Sequence, residues 1–263
     1  MSAGCYSPGA MLDAGAARRF VFEGRAVTLP VAVRDAASAA ATYLVRTAAA
    51  RRLLPDPALD VVELLPGRAL FSVAAIEYRD NDLGDYREVS LAFFVRERRA
   101  PPPAIPYLGA AVDLARNRLA TWIWKLPVDQ RFTCEAGRGI WGFPKTIERI
   151  DFRDGEGRRE CRLVMQGQLV LAFSVARGGT RTLPDADMVT YSHVDGALRR
   201  TRFVSGARGV GIHLGGAKLV LGDHPLADDL RALGLPRRAL VSVWMEHAHG
   251  LFEAPERVTR DVG

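Results

Sequence analysis

The chain has few cysteines and no hydrophobic run long enough to cross a membrane. Its three cysteines, Cys5, Cys134 and Cys161, are too widely spaced to form a CxxC pair or a disulfide framework. This usage is typical of a reducing compartment. No stretch of about eighteen apolar residues occurs, and the N-terminus lacks the basic start and apolar core of a signal peptide. We therefore expect a cytoplasmic protein with no membrane partner.

The positive charge of the chain is not concentrated in one basic segment. The formal net charge is +6, yet the arginines alternate with acidic residues, as in FVRERRA at residues 94–100 and RDGEGRRECR at residues 153–162. A nucleic-acid-binding surface needs clustered basic side chains, with interleaved aromatic residues where single strands bind. The sequence therefore predicts no nucleic-acid partner. The excess charge is compatible with an anionic small-molecule substrate.

Lysine is scarce, although basic residues are common. Of the 36 Lys and Arg residues, only three are lysine: Lys125, Lys145 and Lys218. Arginine stays protonated at ordinary pH, whereas a lysine in a dry site can lose its proton and act as a nucleophile. A compositional bias of the genome would leave the same three lysines. Scarcity alone therefore leaves both interpretations open.

Hydrophobic patterning predicts an α+β fold, mainly antiparallel β, in a single domain over residues 1–263, with residues 1–20 loosely ordered. Runs rich in Val, Ile, Phe and Tyr between turn residues predict strands, which fall at residues 26–34, 59–65, 68–79, 86–97, 118–128, 147–177 as a meander, and 239–258. Capping signals predict two helices. The first follows Asp35 over residues 36–54, and the second lies within residues 222–236, with Pro225 in its first turn and Gly234 at its end.

The segment GIWGFPK, residues 139–145, places a lysine after two aromatic residues. If the segment is extended, Trp141, Phe143 and Lys145 share one face, because side chains alternate along a strand. The amine would then emerge from a water-poor surface, which lowers the pKa of a lysine and yields a free amine near neutral pH. Pro144 cannot donate to a sheet and marks a strand start or a kink. The alternative is a surface lysine beside ordinary core aromatics.

The run GRGIWGFPK at residues 137–145 resembles the signature of the acetoacetate decarboxylase family, in which the lysine forms a Schiff base with a keto acid. Acetoacetate decarboxylase is itself an established example of an enzyme with an activated lysine. Two further segments are similar to the family. In FEGRAVTLPVAVRD, Arg25 matches an arginine that faces the substrate carboxylate, and in GDYREVSLAFFV, Glu88 matches an active-site glutamate. The helix-forming segment at residues 221–236 is also similar.

This resemblance implies a cone-like β-barrel with a few helices and a homo-oligomeric lyase that needs no cofactor and no metal. Lys145 would attack the ketone of a small oxo acid, and Glu88 would orient the amine or carry a proton. Arg25 would bind the substrate carboxylate, and Trp141 and Phe143 would line the substrate site. His247 and His249 are a possible metal pair, but no third ligand with suitable spacing accompanies them.

Three departures from the family pattern leave the reaction open. Thr146 stands where the family commonly has a second lysine, Val73 aligns with a further glutamate, and Gly139 replaces the acidic residue of the signature. The iminium would still serve as an electron sink. The sequence is therefore compatible with a decarboxylase-like lyase, with an aldolase or dehydratase acting on pyruvate-like substrates, and with a non-catalytic ligand-binding protein.

Overall fold

The computed structural model describes residues 18–101, 105 and 107–258, which form mostly strands. In chain order the strands are β1 (Arg19–Phe22), β2 (Arg25–Thr28), β3 (Val31–Arg46), β4 (Leu59–Val61), β5 (Glu63–Leu65), β6 (Arg68–Asn81), β7 (Tyr86–Glu97), β8 (Ala120–Val128), β9 (Lys145–Ile147), β10 (Arg149–Gly155), β11 (Arg158–Met165), β12 (Gln168–Ala176), β13 (Arg181–Val194), β14 (Ala197–Leu214), β15 (Lys218–Leu221), β16 (Val241–Phe252) and β17 (Glu256–Arg257). The helices are α1 (Thr47–Leu53), α2 (Leu108–Ala115), α3 (Arg131–Trp141) and α4 (Pro225–Leu233).

Seven strands close into a barrel. Their hydrogen-bonded order is β7-β6-β3-β16-β14-β13-β8, and β8 pairs again with β7 to complete the ring. All of these pairs are antiparallel except β13 with β8. Closure leaves these seven strands without a free edge. The predicted fold class, mainly antiparallel β with a barrel and a few helices, is therefore confirmed.

A second sheet covers part of the outside of the barrel. It has the order β10-β11-β12-β15, and β12 lies against β3 and β16. Ala37, Ala39 and Ala41 point from β3 into the core between the two layers, where they meet larger side chains such as Phe173. The other face of the barrel strands lines the interior. There Ser38 of β3 lies between its cross-strand partners Ile76 of β6 and Met245 of β16.

The predicted helix over residues 36–54 is wrong for most of its length. The chain is a strand from Val31 to Arg46, and only the short helix α1 follows. The alanine-rich run favours a helix by intrinsic propensity. In the barrel, however, alanine is small enough to let a second layer pack on β3, and tertiary packing overrides the local preference.

Most other predicted elements are confirmed. The strands at 59–65, 68–79, 86–97 and 118–128 correspond to β4 to β8, and the meander at 147–177 forms β10, β11 and β12. The second helix is α4, with Pro225 in its first turn and Gly234 in the left-handed conformation at its end. Helix α2 was not predicted. Loose order was expected for residues 1–20. Of these, residues 1–17, which include Cys5, lie outside the described residues.

Within the described ranges, none of the helices has the length and apolar character needed to cross a membrane.

Candidate active site

Lys145 lies at the junction between α3 and β9, and a glycine turn directs it. Gly142 ends α3 in the left-handed conformation, with φ 66°, and its N–H donates to the Arg138 carbonyl at 3.1 Å. A Cβ at Gly142 would collide with the carbonyl oxygen of His193 on β13. Only glycine therefore suits this position. On the same strand, the Ser192 Oγ donates to the Trp141 carbonyl at 2.5 Å, which fixes the end of the helix.

This arrangement corrects the predicted geometry of the GIWGFPK segment. Residues 139–141 are the last residues of α3, so Trp141 and Lys145 do not alternate along one extended strand. β9 then runs parallel to β8, with Lys145 beside Leu126. The lysine enters the site from a helix-turn-strand junction.

The Lys145 amine is buried and has three polar or aromatic neighbours. Its Nζ lies 3.0 Å from Oε2 of Glu88 and donates to Oγ1 of Thr133 at 3.0 Å. It also lies 4.8 Å from the centroid of the Tyr86 ring. Lys145 is 4% exposed and Glu88 5% exposed. An ion pair so well shielded from water is a strong interaction only when its remaining hydrogen bonds are satisfied, and Thr133 contributes one of them.

Two stacked tyrosines flank the ion pair. Tyr78 and Tyr86 are cross-strand partners on β6 and β7, and their rings stack at 4.3 Å between centroids. The Tyr78 hydroxyl donates to Oε1 of Glu88 at 3.3 Å. Each oxygen of the Glu88 carboxylate therefore has its own partner, Lys145 on one and Tyr78 on the other.

The pKa of Lys145 is raised, contrary to the sequence-based expectation. Burial acts to lower the pKa, as expected, but the Glu88 carboxylate and the Tyr86 hydroxyl together outweigh burial. The Glu88 carboxylate at hydrogen-bonding distance favours the charged form of the lysine. The site without substrate is therefore an ammonium–carboxylate pair and not a free amine.

The residues predicted for the site separate into two groups. Lys145 and Glu88 are in contact, as predicted. Arg25 is exposed, and its guanidinium lies 3.9 Å from the centroid of the Phe132 ring on α3, next to Thr133 in sequence. No described contact joins Arg25 to Lys145, so its role as a carboxylate ligand stays a prediction.

Trp141 and Phe143 are buried in an apolar cluster at one end of the barrel. Their rings stack at 5.7 Å, and the Trp141 indole N–H donates to the carbonyl of Glu253 at 2.8 Å. Both rings pack with apolar residues of α3 and the β1–β2 hairpin. Their described contacts are those of core residues, and a role in substrate binding stays a prediction.

Two of the three departures from the family pattern, Thr146 and Val73, lie away from the amine. Thr146 is exposed, since it points to the opposite side of β9 from Lys145. Val73 is fully buried in the core under the second sheet. On β6 it is Ile76, and not Val73, that lies opposite Glu88. A carboxylate at position 73 on this strand would face the core between the layers.

The two histidines of the possible metal pair have separate acidic partners. His247 lies 3.0 Å from Asp35, and His249 lies 2.7 Å from Asp185. Within residues 18–101, 105 and 107–258, no three His, Cys, Asp or Glu side chains are grouped so that they could hold a metal.

A cavity of about 130 Å³ lies inside the barrel and reaches the site at Tyr78. Its wall is mostly apolar and includes Ile76, Phe203 and Phe252, with the two phenylalanine rings stacked at 4.9 Å. Ser38 and His249 add polar groups. A concave, largely apolar space with a few polar groups is typical of a small-molecule site.

Sequence reasoning missed Thr133, Tyr78 and Tyr86. Tyr86 precedes Glu88 by two positions on a predicted strand, so the two-residue period could have placed it on the same face. Tyr78 needs the register of the β6–β7 pair, and Thr133 needs α3, which the sequence did not predict.

The fold and the site define a closed, mainly antiparallel barrel that holds a buried lysine–glutamate pair. The chain belongs to the acetoacetate decarboxylase family, since the family model described as Acetoacetate decarboxylase (ADC) matches residues 23–255. No curated protein matches the chain.

Solved structures of the same fold include three enzymes. Acetoacetate decarboxylase from Legionella pneumophila has a TM-score of 0.64 and 16% identity, with 89% of each chain covered. An acetoacetate decarboxylase-like enzyme from Sphingomonas wittichii RW1 has a TM-score of 0.60 and 16% identity, with 94% of this chain and 100% of the other covered. The enduracididine biosynthesis enzyme MppR, complexed with pyruvate, has a TM-score of 0.58 and 19% identity, with 88% and 90% covered. At such identities the likeness extends to the fold alone.

Proposed function

We propose that the chain is a Schiff-base-forming lyase that acts on a small oxo acid through Lys145. The observation that carries this proposal is the buried contact of 3.0 Å between the Lys145 amine and Glu88 in a member of this family. A buried cation lowers the stability of a protein unless a partner compensates its charge. Here the partner is also a base that can take the proton of the amine.

The ion pair can generate the nucleophile without a proton leaving the site. Transfer of one proton from Lys145 to Glu88 gives a neutral amine and a neutral carboxylic acid. A substrate that displaces water from the cavity favours this neutral pair, because a drier surrounding disfavours both charges. The amine then attacks the ketone carbon, one proton moves from the nitrogen to the oxygen, and Glu88 returns its proton to the same oxygen, which leaves as water. Ammonium plus ketone thus becomes iminium plus water, with Glu88 again a carboxylate.

The iminium accepts the electron pair released when a neighbouring bond breaks. For a β-oxo acid, this bond joins the carboxylate to the carbon next to the ketone, and CO₂ leaves. Arg25 is the proposed ligand of the carboxylate through paired hydrogen bonds. Its guanidinium packs on Phe132 of α3, the helix whose Thr133 accepts a hydrogen bond from Lys145. Movement of this exposed side chain toward the amine would complete the site.

Aldol-type condensation or dehydration on a pyruvate-like substrate is the second candidate function. The observation that favours it is the extent of the cavity beyond Tyr78, where the stacked rings of Phe203 and Phe252 form an apolar wall. Such a wall suits a second, larger carbonyl compound. Both candidates share the iminium and differ in the bond that it breaks or forms.

Borohydride trapping tests the proposal. The protein is incubated separately with acetoacetate, pyruvate and 2-oxobutanoate, borohydride is added, and peptide mass spectrometry locates the added mass. We expect a stable adduct on Lys145, because reduction of an iminium fixes the substrate carbon to nitrogen. Release of CO₂ from acetoacetate would indicate decarboxylation, and a condensation product of pyruvate with an aldehyde would indicate aldol chemistry. Absence of an adduct with all three acids would refute the Schiff-base proposal and favour a binding protein.

Gly137→Ala should reduce trapping without unfolding the chain. A Cβ at Gly137 would lie 2.7 Å from Cδ and Cε of Lys145, so the lysine side chain must shift. A misplacement of about 1 Å lowers the rate of adduct formation by about ten- to a hundred-fold. The control is Gly155→Ala, since a Cβ there meets nothing within 4 Å. Equal trapping rates in the two variants would contradict the described path of the Lys145 side chain.

A further inference from the structure

Tyr78 connects the cavity with the charged pair. It lines the cavity, whereas neither Lys145 nor Glu88 is among the described residues of the cavity wall. At the same time the Tyr78 hydroxyl donates to Oε1 of Glu88 at 3.3 Å, on the side of the carboxylate away from Lys145. A molecule in the cavity therefore meets the Tyr78 side chain before it meets Glu88.

The position of the Tyr78 ring is fixed by its neighbours. It stacks on Tyr86, with 22° between the ring planes, and Tyr86 in turn lies beneath the Lys145 amine. Cross-strand pairing of β6 and β7 holds the two tyrosines side by side. The hydroxyl is thus held against Glu88 by a side chain that also lines the cavity, and proton transfer in an active site requires such a fixed position.

Tyr78 stays protonated over the working range of an enzyme. Burial first, and then the neighbouring Glu88 carboxylate, raise the pKa of Tyr78 well above its ordinary value. A phenol that stays neutral can accept a proton on its oxygen only while it gives its own to a base. Glu88, at hydrogen-bonding distance, is that base.

We propose that Tyr78 is a further catalytic residue, whose hydroxyl carries a proton between Glu88 and the substrate carbon next to the iminium. This inference rests on the proposed Schiff-base function. The C–H bond of that carbon breaks and its proton goes to the Tyr78 oxygen, while the Tyr78 hydroxyl proton moves to Glu88. The C–H electron pair forms the C=C bond of an enamine, and the iminium nitrogen takes back its π pair. Iminium plus carboxylate thus becomes enamine plus carboxylic acid, and the reverse steps protonate the carbon.

A proton relay through Tyr78 restricts the class of substrate. The relay is useful only to an oxo acid whose carbon next to the ketone gains or loses a proton, as after loss of CO₂ or before condensation. The carbon chain of that acid would extend from Tyr78 into the apolar cavity toward Phe203 and Phe252.

Deuterium exchange into pyruvate tests the role of Tyr78. The protein is incubated with pyruvate in D₂O, loss of the methyl proton signal is followed by NMR, and the rate is divided by the amount of borohydride-trapped adduct. In Tyr78→Phe the ring and its stacking stay, so the adduct should form at about the wild-type level while exchange per adduct falls by about 10²- to 10⁴-fold. A purely structural role would not separate these two readouts.

Tyr191→Phe is the matched control. It also removes a buried tyrosine hydroxyl that donates to a glutamate, Glu97, but Tyr191 is not among the residues lining the cavity. Exchange per adduct should match the wild type.

Each other outcome is decisive. Undiminished exchange per adduct in Tyr78→Phe overturns the relay, and so does loss of the adduct in a folded Tyr78→Phe, which would place Tyr78 in iminium formation. If the wild type itself gives no adduct with any of the three oxo acids, the proposed function has failed, whatever Tyr78 does.

Should Tyr78→Phe not fold, 3-fluorotyrosine at position 78 replaces it. The more acidic phenol should change the exchange per adduct while the adduct stays at the wild-type level, and unchanged exchange per adduct overturns the relay.

Discussion

Replacement of Lys145 by arginine removes the borohydride-trapped adduct down to background for every oxo acid. The guanidinium group stays protonated and cannot attack a carbonyl carbon, although it keeps the positive charge opposite Glu88. Turnover of the true substrate should fall with the adduct, because both depend on the same amine. The measurement is the intact mass after reduction, with and without oxo acid.

The chain supplies the controls for this result. Lys125 and Lys218 are its other lysines, and Lys218 is exposed. Lys125→Arg and Lys218→Arg should each trap as much adduct as the wild type. If the adduct persisted in Lys145→Arg and disappeared in one of the two controls, the lysine replaced in that control would be the nucleophile. Lys145→Ala is less informative, since it leaves the Glu88 carboxylate buried without its cation, at a cost of about 3–5 kcal/mol in stability.

Glu88→Gln should shift the pH dependence of trapping toward acid and lower its maximum rate. Glu88 contributes most to raising the pKa of Lys145, and burial opposes it. With the charge removed, burial prevails, and the amine becomes neutral at a lower pH than in the wild type. The same variant lacks the acid that returns a proton to the departing oxygen, so the maximum rate of adduct formation falls by about 10²- to 10⁴-fold. The pH profile of trapping measures both effects.

The contribution of Lys145 to stability should depend on pH with opposite signs in the wild type and in Glu88→Gln. In the wild type the raised pKa of Lys145 contributes stability that is fully present below the ordinary lysine pKa of about 10.4. This contribution is lost as the pH rises through the pKa of Lys145 in the folded protein. In Glu88→Gln the unfolded chain binds the Lys145 proton more tightly, so the contribution of Lys145 to stability increases as pH rises toward the same value. Urea unfolding over this range measures the slope. Glu97→Gln, which removes the partner of Tyr191, is the control and should keep the wild-type sign.

The sequence predicted those elements whose signals are local. Helix α4 was found because Pro225 and Gly234 mark its ends, and the meander of β10 to β12 because turn residues separate its strands. β3 was misread, since an alanine-rich strand that packs under a second sheet has the composition of a helix. Helix α3 was missed because two glycines lie within it. Its apolar face is stabilised only by packing against the end of the barrel, which is not a local signal.

The site was predictable as far as the family resemblance identified single residues. Lys145 and Glu88 are in contact, but no sequence pattern indicates that their attraction outweighs the effect of burial on the pKa of the amine. That balance depends on a distance of 3.0 Å between strands far apart in the chain. Tyr78 and Thr133 likewise join the site through the register of β6 with β7 and through α3, and neither is a local property.

The turn at Gly142 has a consequence for protein engineering. The loop that aims the lysine is shaped around the backbone of His193, and its helix is held by Ser192, both about fifty positions later in the chain. If residues 137–145 alone were transplanted into another barrel, the contacts with Ser192 and with the His193 backbone would be lost. The direction of the Lys145 side chain depends on two strands that are distant in the chain, β9 and β13, so a graft would need both segments to reproduce it.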